Sequence, residues 1–300
     1  LLTLKKLSQS KVLSTKLVVD IDEGKRFQIG KIIIRGLRFT KKNVILNAIG
    51  VRPGDSYDLY KMSEIRNNLM KLGIFKNVNV NTKKSISYTD HENLIDIKLD
   101  IEEEKQGTIS FGPGYDYDRG LKYSSELTYQ NLFGENKTVT LRGGFSQEKH
   151  QSAIEDGETF LGRKIIFSYR VPQVIGPKST GSIILSHTGI AESIWKIQNS
   201  FELRLNKKLE DIMRGLRVEL KYNIMRTFDR GGINTNVLTT GATTLGSVSS
   251  KLIFDLRDNI SWTTKGLFLG VGGTSYKHWL GGDWDILKWE IDNINFLEIT

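Results

Sequence analysis

From Gly107 onward the chain is built from short segments in which apolar and polar residues take turns, with Gly, Asn and Asp at the breaks. Successive side chains of a strand point to opposite faces, so each such segment is a strand with one apolar and one polar face. The candidates are Thr108 to Tyr117, Leu121 to Gln130, Thr138 to Ser146, Lys164 to Arg170, Gly181 to Ile190, Trp195 to Leu205, Leu216 to Arg226, Leu245 to Leu256, Leu267 to Tyr276 and Trp284 to Asn293. This part of the chain has to be a large antiparallel sheet.

Two kinds of sheet meet that description, a water-soluble sandwich and a transmembrane barrel. Several segments approach the ~9 to 11 residues that a tilted membrane strand needs, although the fourth is short. No apolar run comes near the ~18 residues of a membrane-spanning helix. A barrel hides its lipid face in alternate positions, so a mean hydropathy of -0.30, with 38% hydrophobic and 26% charged residues, is compatible with it. Glu148 to Glu158 and Asp229 to Thr240 are long, polar and glycine-containing, as barrel loops on one side of a membrane tend to be. Tyr115, Tyr117, Tyr129, Phe133, Tyr169, Trp195 and Trp279 lie near strand ends, where they suit an interfacial girdle or a sandwich core.

Before residue 106 helix and strand signals mix. Arg26 to Arg35 reads as a strand closed by Gly36, and Thr40 precedes a first helix stopped by Gly50. Pro53-Gly54 turns the chain into a second helix, about Leu59 to Leu72, with Met62, Ile65, Leu69 and Leu72 on one face and Gly73 at its end. Phe75 to Asn81 and Leu94 to Glu102 alternate with period two, so each is packed on one face only. The order is β-α-α-β-β.

The net charge of +9, from 43 basic and 34 acidic residues, is spread along strand-like segments. It does not gather on one helix or interleave with an aromatic stacking platform, so nucleic acid is not an expected partner. Without cysteine there are no disulfides and no thiolate metal sites. His91, His150, His187 and His278 show no paired metal spacing, and Gly112-Pro113-Gly114 continues into no phosphate-binding fingerprint. The run Glu102-Glu103-Glu104 reads as a solvated linker end. No nucleophile, metal set or cofactor cradle assembles, so neither an enzyme nor a cofactor is expected. The chain opens at Leu1 without a Met or a signal-peptide pattern and reads as mature or trimmed.

Glu23-Gly24, Ile32-Ile33-Ile34-Arg35-Gly36, Pro53-Gly54-Asp55 and Leu72-Gly73-Ile74-Phe75-Lys76-Asn77-Val78, in that order, resemble a polypeptide-transport-associated (POTRA) domain over roughly residues 27 to 104. Asn131-Leu132-Phe133-Gly134, Asp255-Leu256-Arg257-Asp258-Asn259, Lys265-Gly266-Leu267 and Gly281-Gly282-Asp283 resemble the barrel of the outer-membrane assembly-factor superfamily, which includes BamA-like and mitochondrial sorting-and-assembly branches. The expected organisation is the end of a preceding POTRA-like domain or a free N-terminal segment at 1–24, a POTRA domain at 25–106, and the first part of an outer-membrane barrel at 107–300. Family barrels have sixteen strands, whereas ten are counted here. The terminal aromatic and the Arg-Gly loop motif are not found, so the chain is expected to be a fragment.

The resemblance implies an assembly factor that binds unfolded β-barrel clients and inserts them into the membrane by strand templating at a lateral gate. Accessory lipoproteins or subunits and outer-membrane lipid are the further partners it implies, with a polypeptide-secreting pore of the same superfamily as the alternative. It implies a bacterial outer membrane in the first place, with a mitochondrial or plastid envelope also open, and a POTRA domain in the periplasm or intermembrane space. The client-binding edge and groove would use Met62, Ile65, Leu69, Phe75, Val78 and Val80. The gate strand would carry Ser110, Gly112, Pro113, Gly114 and Tyr115, and the structural barrel motif Asp255, Arg257, Asp258 and Gly266. A soluble binding module joined to a β-sandwich is the reading from another class, separable by whether the native chain needs detergent.

Overall fold

The computed structural model describes residues 2–5, 16–19, 26–84, 93–116, 120–149, 159–191, 195–230, 241–259 and 262–296. Tyr117, His91, His150, most of the Glu148 to Glu158 and Asp229 to Thr240 segments, and the side chain of Trp195 lie outside the described residues. The chain forms two compact units, one of residues 1–38 and 45–103, the other of residues 39–44 and 104–300.

In the first unit β1 (Leu2–Lys5) and β2 (Lys16–Val19) pair antiparallel. β3 (Gln28–Arg35), α1 (Lys42–Ile49), α2 (Leu59–Met70), β4 (Phe75–Lys84) and β5 (Leu94–Glu103) follow, in the expected β-α-α-β-β order. The three strands form one sheet in the order β3-β5-β4. β3 runs parallel to β5, and β4 antiparallel to it. In the central strand β5, Ile95, Ile97, Leu99 and Ile101 alternate without a break, and all four are buried. α1 contributes Ile45 and Ile49 to the same core, and α2 contributes Met62, Ile65 and Leu69.

Backbone geometry fixes where these elements stop. Asp58 caps α2, its side chain accepting the Tyr60 N–H at 2.8 Å. Gly36 has a φ of 90°, and a Cβ there would run into the carbonyl oxygen of Ile101, so no other residue fits that turn. α1 begins two residues after Thr40, whose hydroxyl accepts from Asn131.

In the second unit ten antiparallel strands form one sheet in strict sequence order. They are β6 (Gly107–Asp116), β7 (Gly120–Leu132), β8 (Lys137–Lys149), β9 (Thr159–Pro172), β10 (Ser179–Ala191), β11 (Trp195–Lys208), β12 (Leu216–Arg230), β13 (Gly241–Asp255), β14 (Gly266–Tyr276) and β15 (Ile286–Phe296). Among the described residues the sheet is unclosed, with β6 at one edge and β15 at the other. All ten expected strands are present, most of them longer than the alternation suggested. β9 is the largest difference, with fourteen residues. Arg163 interrupts its apolar face near one end, and the ladder to β8 carries the strand through that interruption.

Register assigns each side chain to a face. Tyr169, Ile183, Leu203, Tyr222 and Val248 are successive cross-strand partners and form one row of the apolar face. On the polar face the neighbouring row runs Arg170, Ser182, Arg204, Lys221 and Ser249. A sheet apolar over such a length on one face suits hydrocarbon on that side and water on the other. Among the described residues no helix is long and apolar enough to cross a membrane, which leaves spanning by strands untouched.

Candidate functional site: two sheet edges and a barrel turn

β4 is an edge strand. One side is bonded to β5, and its other side has no strand partner among the described residues. A register shift between Phe75 and Asn77 lets both Phe75 and Val78 face inward although they are three residues apart. Five of the six residues expected to meet clients are core residues: Ile65, Leu69 and Val78 are fully buried, Phe75 and Met62 nearly so. Val80 is half-buried. Their side chains therefore hold α2 against the sheet. What remains open is a groove of about 470 Å³ between α2 and β4, where Ser63, Arg66, Asn79 and Asn81 accompany Met62, Val78 and Val80. A chain laid there would meet the backbone edge and the polar side chains of β4.

β6 is the second edge. It pairs with β7 from Gly107↔Tyr129 to Asp116↔Gly120, so Ser110, Gly112, Pro113, Gly114 and Tyr115 all lie within one continuous ladder. Pro113 removes one backbone donor from the strand. Gly112 leaves room that Ser124 fills by donating its hydroxyl to the Gly112 carbonyl at 3.2 Å, and a Cβ at Gly112 would stand 2.8 Å from that hydroxyl oxygen. Tyr115 and Phe111 are each 67% exposed, so this edge has little side-chain packing to hold it.

The Asp255-to-Gly266 segment forms the turn between β13 and β14. Arg257 donates through Nε and Nη2 to the two carboxylate oxygens of Asp255, each at 2.8 Å, and its guanidinium lies 5.0 Å from the ring centre of Phe268. Asp258 accepts from the Thr264 hydroxyl and from the backbone N–H groups of Thr264 and Lys265. These bonds, the Thr264 hydroxyl first, hold the Asp258 carboxyl down at about 2. Gly266 has a φ of 128°, and a Cβ there would stand 2.5 Å from the Leu256 carbonyl oxygen. The glycine lets the two strand ends close on each other.

The turn between β7 and β8 is built as tightly. Asn131, Phe133 and Asn136 have φ between 56° and 58°, and Gly134 has 70°. The unit also contains residues 39–44, and buried Asn131 donates to the Thr40 hydroxyl at 2.8 Å while the Lys41 N–H donates to the Gly134 carbonyl at 2.9 Å. Lys137 and Lys41 both bond Glu135 and hold its carboxyl down at about 2. The Asn131-to-Gly134 turn is legible in the sequence, and its partner is not. Neither Thr40 nor Lys41 carries a pattern that points ninety residues ahead.

Comparison with known proteins fits these features. Residues 27–104 match the POTRA family, described as surface antigen variable number repeat. The outer membrane protein assembly factor BamA of Neorickettsia risticii is 26% identical over 265 residues, covering 83% of this chain and 33% of the relative. BamA of Neisseria meningitidis is 25% identical over 130 residues, 43% of this chain and 16% of the relative. The chain thus spans about a third of the first of these. Among solved structures, Haemophilus ducreyi BamA lacking POTRA domains 1–3 aligns with a TM-score of 0.63 at 15% identity over 92% of this chain and 53% of that one. CdiB from Acinetobacter baumannii aligns with a TM-score of 0.55 at 14% identity over 89% of this chain and 48% of that one. The two structural likenesses show a shared fold, while the sequence relatives are bacterial assembly factors. Over residues 27–104 the chain matches the POTRA family, and over most of its length it is similar in sequence and in fold to BamA-like outer-membrane assembly factors.

Proposed function

We propose that this chain is the membrane-proximal part of an outer-membrane protein assembly factor, with POTRA residues 25–106 on the periplasmic side and residues 107–300 forming the first part of the barrel. The observation that carries the reading is that the three-stranded and the ten-stranded sheets each present an edge strand among the described residues, β4 and β6. An open edge presents unpaired N–H and C=O groups and binds another chain by adding a strand, with main-chain bonds that do not depend on the client's sequence. Unfolded barrel proteins are clients of that kind. The POTRA edge at β4 and its groove would collect them in extended form.

At β6 the same chemistry acts within lipid. An unpaired backbone group in hydrocarbon costs several kcal/mol, so an edge strand there is strongly driven to find a partner. The edge carrying Pro113 between two glycines zips poorly to whatever strand closes the barrel. A client strand that satisfies β6 replaces that weak closure, and insertion proceeds without ATP or covalent chemistry. Outer-membrane lipid and accessory assembly subunits are the other partners. The Asp255-to-Gly266 turn holds strand ends and takes no part in client contact.

In the full-length protein, a Ser110→Cys crosslink to the last barrel strand stops client insertion in a reconstituted vesicle assay, and insertion that continues at the uncrosslinked rate overturns the reading. The likeness to the CdiB fold favours a second reading, a polypeptide-secreting pore. A pore conducts ions and exports a chain with that crosslink in place, whereas the assembly factor does not.

A further inference from the structure

The connection between β9 and β10 carries an apolar pair, Val174-Ile175, in a turn otherwise made of Gln, Gly, Pro and Lys. The turn folds outward over the apolar face of the sheet. It is pinned there by buried Ser179, which accepts the Ile175 N–H at 2.9 Å and donates to the Gly176 carbonyl at 2.7 Å. The Gln173 N–H adds a bond to the Ser179 carbonyl at 2.7 Å. Gln173, Gly176 and Lys178 all take positive φ, so the bend is fixed by the backbone as well.

Beneath this overhang is a groove of about 530 Å³. Its floor runs across four strands through Ile183, Leu203, Leu220 and Val248, and Val174 and Ile175 form its roof. Gly181 makes the space: a Cβ there would stand 2.8 Å from Val174. A second overhang on the same face, around Leu280, packs directly on Gly246 and accepts from the Tyr222 hydroxyl at 3.2 Å. Volume and lining are in the range of ligand sites.

A cation stands at the mouth. Lys207, on the same face as Gly181 by register, donates its ammonium to the Ile175 carbonyl at 3.1 Å and makes no ion pair among the described residues. An ammonium has three donors, so two remain for another acceptor. Lys178 and Lys208 lie beside it, and Glu210 and Asp211 are the acidic groups they pair with. This end of the sheet is the one at which β6 begins, which under the proposed reading is the periplasmic leaflet.

We propose that this groove is a binding site for one glycerophospholipid of the periplasmic leaflet, its acyl chain under Val174 and Ile175 and its phosphate on Lys207. The inference rests on the reading above in that the apolar face must meet lipid. It goes beyond that reading by assigning a single, retained lipid to one place on that face. Apolar lining alone would accept any hydrocarbon, and the cation selects a phosphate carried one headgroup away from it.

The test is native mass spectrometry and phosphate analysis of the full-length protein, purified from outer membranes and taken through repeated detergent exchange. One phospholipid per chain is expected to remain. Gly181→Leu fills the groove and removes it. Lys207→Ala weakens retention about tenfold, the worth of one charge-assisted bond. Gly143→Leu, on the same face of β8 but outside the groove, leaves it in place. Should Gly181→Leu impair folding, Val174→Ser with Ile175→Ser opens the roof without touching the ladder and is expected to lose the lipid equally. Full retention in either groove variant overturns the site, and retention indifferent to Lys207→Ala or to replacement by a phosphate-free diacylglycerol overturns the phosphate assignment. Recovery of the native chain in the aqueous phase without detergent is a different result, and it would overturn the membrane reading itself.

Discussion

The two units solve the same problem in opposite ways. Residues 26–103 bury fourteen of the sixteen apolar side chains that are buried in the described chain, and the second unit buries only Ile253, in β13, and Leu280, between β14 and β15. Yet the sheet is the larger unit by far. In the small unit the hydrophobic effect acts inward, with α1 and α2 laid on β3, β5 and β4. In the large one, Leu127, Leu141, Phe167, Leu185, Leu203 and Leu220 all point outward and stay exposed. Such a patch is intolerable in water and ordinary in lipid. What holds the sheet together is its unbroken ladder, whose bonds have no competing water within a bilayer. Exposure therefore means different things in the two units.

The sharpest way to break this comparison is to remove a leucine from each setting. Leu69→Ala, at a fully buried position, is expected to destabilise the small unit by about 2 to 5 kcal/mol, the range for emptied core leucines. Urea titration with hydrogen exchange of β5 peptides reads this loss, and peptides from β8 to β12 should not respond. Next in size, Leu203→Arg places a charge on the outward face and should cost about 2 to 4 kcal/mol in a bilayer. Asn223→Arg faces the other way, directly opposite Glu202, and should change stability by less than about 1 kcal/mol. Equal effects of the two arginines on refolding into vesicles would mean that the faces are not lipid and water.

The smallest effect concerns the β13–β14 turn. Asp258 has its folded-state pKa lowered to about 2 from an ordinary value of 3.8, so its bonds to Thr264 and Lys265 are made by the charged form. The resulting stability is complete above pH about 4 and is lost as the pH falls through about 2. Hydrogen exchange of peptides covering Asp258 to Gly266, corrected for intrinsic rates, should show the turn opening in that window. Asp258→Asn should remove the pH dependence while leaving the small unit unaffected.

Much of the architecture could be read from residue order, for a local reason. Period-two alternation assigns faces without knowledge of any partner, and glycines at 36, 50 and 266 mark places where a side chain would collide or strain the backbone. Strand ends were less legible. β9 extends beyond its alternating stretch because β8 supplies ladder partners for Thr159 to Arg163 and β10 for Val171 and Pro172, and those partners are invisible locally. The same holds for the candidate client edge. Met62, Ile65, Leu69, Phe75 and Val78 mark where α2 and β4 meet, but the residues open to a partner are their polar neighbours Arg66, Asn79 and Asn81. An apolar stripe says that a surface is buried, and only packing says by what.

The sequence by itself determined the alternation of faces, the breaks between elements and the turn chemistry at Asp255 to Gly266, since all three depend on neighbours within a few residues. Only the tertiary structure decided that β5 is central and β4 an edge, that Thr40 meets Asn131, and that Val174 and Ile175 roof a groove. Those outcomes depend on contacts between residues far apart in the chain, where many pairings satisfy the same local pattern and the packed whole selects one.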